Sequence, residues 1–143
     1  MKNLTVPDVT FKTRIRNDAI EGDNPFEWKD LTSAEIFKGK RVVLFSLPGA
    51  FTPTCSTSHL PRYEILHESF VAEGVDEIIC LSVNDAFVMY QWGKSQNAKN
   101  VFLLPDGTGE FTAALTNLKL DIKHPLYQKV KNYQAEVSEA LGK

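Results

Sequence analysis

The sequence predicts an α/β fold in which helices cover both faces of a buried, largely parallel sheet. Three observations carry this. The runs RVVLFSL (41–47), EIICLSV (77–83) and VFLL (101–104) are continuously apolar and rich in β-branched residues, not alternating. Such runs mark strands buried on both faces. The stretches between them have helical spacing, and strands alternating with helices imply parallel pairing through crossovers.

Each element has its own signal. FKTRIR (11–16) reads as an extended edge segment. Thr32–Glu35 (T-S-A-E) is a capping box that opens a short helix ended by Gly39. In SHLPRYEILHESFVAEG, Leu60, Tyr63, Leu66 and Phe70 share a helical face and Gly74 supplies the stop. In NDAFVMYQWGKSQNAKN, Asn84 or Asp85 caps the next helix. After Asp106, LPDGTGEFT is turn-rich. LKLDI (118–122) reads as a short strand, and 125–141 as a helix with Leu126, Val130, Tyr133, Val137 and Leu141 on one face. With no linker, repeat or low-complexity tract, residues 1–143 are expected to form one domain.

Composition narrows the function classes. The chain has 143 residues, 43% hydrophobic and 24% charged, with a net charge of −2. Nothing in that balance attracts nucleic acid or an anionic membrane. The first residues, MKNLTVPDVTFKTR, hold no apolar run of signal-peptide type, and no stretch reaches membrane-span length. A cytoplasmic location is expected. Cys55 and Cys80 are too few for a disulfide scaffold, and His59, His67 and His124 have no metal-ligand spacing with either. No metal or other cofactor is expected. The absence of C-x-x-C argues against a dithiol reductase.

The chemistry concentrates in LFSLPGAFTPTCSTSHLP (44–61): a buried strand, a stiff turn with Pro48, Gly49 and Pro53, then Cys55 in the first turn of a helix. Reactive groups of open parallel sheets gather beyond the carboxyl ends of the strands. Helix N-terminal amides favour an ionised sulfur there. Thr52, three residues earlier, offers a hydroxyl to the thiolate or to an incoming oxygen.

Pro48, Thr52 and Cys55 form P-x-x-x-T-x-x-C, and in this the chain resembles the peroxiredoxins. The string PGAFTPTCSTSHLP is similar to that of their type II branch. NPFEWKDLTSAEIFKGKRVVLFSLPGAFTPTC, DEIICLSVNDAFVM and VFLLPDGTGEFT resemble the same branch in order and spacing, so the likeness covers roughly residues 5 to 113. It implies a thioredoxin-like fold with a central mixed sheet and helices on both faces. It also implies a thiol peroxidase acting on hydrogen peroxide and small organic hydroperoxides. Cys55 would be the nucleophile, Thr52 the residue that holds the peroxide, and Pro48 the shield of the thiolate. Glutaredoxin with glutathione, or thioredoxin, would be the reductant, and a homodimer is a possible assembly.

The likeness fades from about residue 114. The branch carries an arginine on a later strand that contacts thiolate and peroxide. Here the arginines are Arg14, Arg16, Arg41 and Arg62, and QKVKNYQAEV puts Lys129 at that place if Tyr133 matches the family tyrosine. Lysine keeps the charge but loses the planar fork. This departure supports an alternative reading, a catalytically weakened redox sensor or interaction protein.

Cys80 lies within the strand EIICLSV. At a rise of about 3.3 Å per residue it falls roughly 13 Å below the reactive edge, so it reads as core, not as a partner for Cys55. His59 reads as a helix-face residue. Trp92, Phe87 and Tyr90 read as core or dimer-contact aromatics, and Lys38, Lys40 and Arg41 as a solvated turn.

Overall fold

The computed structural model describes residues 5–117. The expected strand at 118–122, the helix at 125–141 and the Lys129 and Tyr133 correspondence lie outside these residues.

The three apolar runs form β3 (Val42–Ser46), β4 (Glu77–Ser82) and β5 (Val101–Pro105), which pair in parallel in the order β3-β4-β5. Val42 lies opposite Glu77 and Ser46 opposite Leu81, while Ile78 faces Val101 and Ser82 faces Pro105. From Ile78 onward every residue of β4 is buried. Alternation explains why. Ile78 and Cys80 point into one apolar cluster with Leu60, Met89 and Trp92, whereas Ile79 and Leu81 point into another with Phe11, Ile36 and Phe111. A strand covered on both faces has no solvent side and therefore no polar alternation in sequence.

The helices divide accordingly. The crossover from β3 to β4 carries α2 (Leu60–Ile65) and α3 (His67–Ala72), and that from β4 to β5 carries α4 (Ala86–Ser95). Leu60 from α2 and Met89 and Trp92 from α4 seal the first face. On the second face sit α1 (Ser33–Phe37) and α5 (Glu110–Asn117), through Ile36 and Phe111, together with Phe11 of β1 (Thr10–Arg16). Helices thus cover both faces, as expected. Among the described residues the central sheet is all parallel. The antiparallel element is a separate ladder of β1 with β2 (Phe26–Thr32), running from the pair Thr10 and Thr32 to the pair Arg16 and Phe26.

The local signals hold in detail. Thr32 accepts from the Glu35 N–H while the Glu35 carboxylate accepts from the Thr32 N–H, closing the capping box, and Gly39 ends the turn at φ +72°. Asp85, not Asn84, caps α4 by accepting from the Val88 N–H at 2.8 Å. Two elements carried no readable signal. β2 is mostly exposed along Glu27–Asp30, so it shows no buried face and no apolar alternation. α5 begins in the turn-rich segment because buried Asp106 accepts from the Phe111 and Thr112 N–H groups at 3.2 and 2.9 Å.

Candidate active site

Beyond the carboxyl end of β3 the chain stays anchored to its neighbour, with the Leu47 N–H donating to the Leu81 carbonyl at 3.3 Å. It then turns through Pro48–Thr54. Pro48 is exposed on the outer side of this turn and Gly49 is buried beneath it. Phe51 adopts φ +62°, a left-handed conformation that L residues avoid, and its ring is 57% exposed. Thr52 is half-buried.

Cys55 opens a π-helical turn, Cys55–His59, in which the Leu60 N–H reaches back five residues to the Cys55 carbonyl. Pro61 accounts for the wide turn. It has no N–H to give and its ring crowds the carbonyl four residues earlier, so the backbone opens there before α2 continues. The Cys55 side chain is 3% exposed and lies in the first apolar cluster with Leu47, Leu60 and Cys80. Thr52 stands one turn back, its carbonyl accepting from the Ser56 N–H at 3.1 Å. Its hydroxyl donates to the Gly49 carbonyl at 2.7 Å.

The structure therefore brings Thr52 and Cys55 onto one turn with Pro48 at its edge. Cys80 is fully buried, opposite Phe45 and Leu103 in the ladder, and both cysteines are free thiols. Its distance from the sheet edge had suggested remoteness from Cys55. Yet Cys55 dips from the turn into the same apolar cluster as Cys80. Burial first, and the neighbouring Cys55 second, push the Cys80 thiol up to about 12. His59 Nδ1 is buried without a hydrogen-bond partner among the described residues. Trp92 is core, whereas Phe87 and Tyr90 are nearly half exposed. In the basic turn, Lys40 pairs with Glu77 at 3.0 Å.

Two supporting contacts escaped the sequence reading. The Trp92 indole N–H donates to Ser56 Oγ at 2.9 Å, tying α4 to the residue after Cys55. Asn84 Oδ1 accepts from the Ala50 N–H at 3.0 Å and from the Ser82 hydroxyl at 2.7 Å, tying the end of β4 to the turn. The S-V-N-D string held this signal. With two acceptor side chains side by side, only one is needed as the helix cap.

The sequence pattern of the Redoxin family matches residues 3–125. Peroxiredoxin-2D of Arabidopsis thaliana is 45% identical over 119 residues, covering 82% of this chain and 68% of that protein. The chain belongs to the peroxiredoxins of the redoxin family. Peroxiredoxin sll1621 of Synechocystis sp. is 68% identical over 107 residues, which make up 75% of this redoxin chain. The match spans 57% of that relative's length. A crystal structure of reduced Prx3 from Vibrio vulnificus in complex with hydrogen peroxide is similar at TM-score 0.67 and 43% identity, over 79% of this chain and 63% of that one. That likeness makes the fold thioredoxin-like, as the arrangement of strands and helices indicates. Among the described residues no helix is long and apolar enough to cross a membrane.

Proposed function

We propose that this chain carries the peroxide-reducing site of a thiol peroxidase, with Cys55 as nucleophile, Thr52 as the residue that holds the peroxide and Pro48 as the outer shield of the sulfur. The observation that carries the reading is the placement of Cys55. Cys55 is held almost fully buried at the head of a π-helical turn, with a fixed hydroxyl one turn before it. A solved relative that holds hydrogen peroxide supports the choice of substrate.

The step balances simply. The Cys55 thiolate attacks one peroxide oxygen, the O–O bond breaks, and the other oxygen leaves as water or an alcohol after taking a proton. Sulfur is oxidised by two electrons to sulfenic acid and the peroxide is reduced. A thiol then condenses with the sulfenic acid, releasing water, and a second thiol restores Cys55 and leaves as disulfide. Glutaredoxin with glutathione, or thioredoxin, fits that role. The Thr52 hydroxyl donates to the Gly49 carbonyl, which leaves its lone pairs to accept from the O–H of a hydroperoxide.

Replacing Cys55 with Ser should abolish peroxide consumption, because a serine hydroxyl does not ionise near neutral pH. A coupled assay with hydrogen peroxide and either reductant checks this. Retention of most of the turnover in the variant would remove Cys55 from the mechanism.

A further inference from the structure

The turn before Cys55 contains one peptide unit held at both ends. A trans peptide is planar, so the Gly49 carbonyl and the Ala50 N–H point in opposite directions as one rigid body. The Ala50 N–H donates to Asn84 Oδ1 at 3.0 Å, and the Gly49 carbonyl accepts from the Thr52 hydroxyl at 2.7 Å. Fully buried Ser82 donates to the same Oδ1 at 2.7 Å. Only the oxygen of an asparagine amide accepts from a backbone N–H, so chemistry fixes which way the Asn84 amide faces. Asp85 performs the capping of α4, which leaves Asn84 free for this contact.

We propose that Asn84 is a positioning residue for the reaction of Cys55, acting through the Gly49–Ala50 peptide on the direction of the Thr52 hydroxyl. The role rests on the peroxide-reducing reading of Cys55. A threonine hydroxyl has one proton and two lone pairs. While its proton goes to the Gly49 carbonyl, it turns acceptor character toward the substrate. If the peptide flipped, that carbonyl would leave, the proton would be released, and Thr52 would compete as a donor for the sulfur. Gly49 has no side chain to resist the flip. Asn84 resists it by holding the N–H, and Ser82 holds Asn84.

The test is a double-mutant cycle on the second-order rate of Cys55 oxidation by hydrogen peroxide, with iodoacetamide alkylation of Cys55 as the control reaction. Asn84→Leu keeps the side chain's bulk and removes the acceptor. It should slow the peroxide reaction by roughly 10- to 100-fold, below the loss for a donor that touches the reacting atoms. Alkylation, which uses no peroxide-holding hydroxyl, should stay within the same order of magnitude. In a Thr52→Val background the same change should add little, because the group it directs is gone. Full slowing in that background, or a native rate for Asn84→Leu, overturns the role. If circular dichroism shows that Asn84→Leu does not fold, Ser82→Ala takes its place. It should give a smaller slowing that also vanishes with Thr52→Val, and a native rate there overturns the role. Failure of Asn84 leaves the contrast between native protein and Cys55→Ser intact. A native chain that reacts no faster than Cys55→Ser overturns the peroxidase reading and this role with it.

Discussion

Cys55 and Cys80 share one apolar cluster yet have different prospects. Cys80 sits mid-strand inside that apolar cluster, so burial holds its thiol at about 12 against an ordinary 9.0. At pH 8 it remains protonated and unreactive. One equivalent of peroxide should therefore mark Cys55 alone, as peptide mapping would show, and a stoichiometric Cys55–Cys80 link would contradict this. The same shift ties stability to pH. Below about 9 both folded and unfolded chains keep the Cys80 proton, and the contribution is fully present. Between about 9 and 12 the unfolded chain loses it first and binds fewer protons, so stability falls as pH rises. Urea denaturation across that range should show a steeper decline for the native protein than for Cys80→Val.

At the scale of elements, single polar side chains join segments distant in sequence. Glu64 on α2 is the clearest case. Its carboxylate accepts from the N–H groups of Lys99, Asn100 and Val101, at 2.8 Å for Val101, and so fixes the loop that leads into β5. Replacing Glu64 with Ala should cost about 1–3 kcal/mol, since the amide of buried Val101 loses a charged acceptor. Thermal or urea unfolding measures it, and an unchanged midpoint would mean that water replaces the carboxylate freely. Contacts of this kind explain what the sequence left unread. β3, β4, β5, α1 and α4 were legible because apolar runs and caps are local patterns. β2 was not, because an exposed ribbon has no core face to pattern. The break at Leu66 between α2 and α3 interrupts a spacing that ran unbroken from Leu60 to Phe70. At the site, Cys55, Thr52 and Pro48 stood out through their spacing. Asn84 and Ser56 did not, because their partners lie 34 and 36 residues away.

Across the molecule, the sheet separates two apolar clusters with different duties. The first encloses Cys55. The second is built on aromatic rings from three elements, with Phe111 of α5 5.3 Å from Phe11 of β1 and 5.9 Å from Phe37 of α1, centroid to centroid. Phe111→Ala should destabilise the fold by about 3–5 kcal/mol, the range for a large ring lost from a packed interior. A loss below about 1 kcal/mol in urea denaturation would show that α5 is not needed to close that face. The contact between Trp92 and Ser56 has a further consequence, an optical one. The chain holds two indoles: Trp28 is 58% exposed on β2, and Trp92 is fully buried with its N–H bound to Ser56, the residue after Cys55. An aqueous quencher such as iodide should silence the first and spare the second. The remaining emission would then come from a single chromophore hydrogen-bonded to the neighbour of Cys55, so any oxidation of Cys55 that disturbs the π turn should register as a change in light, without any added dye.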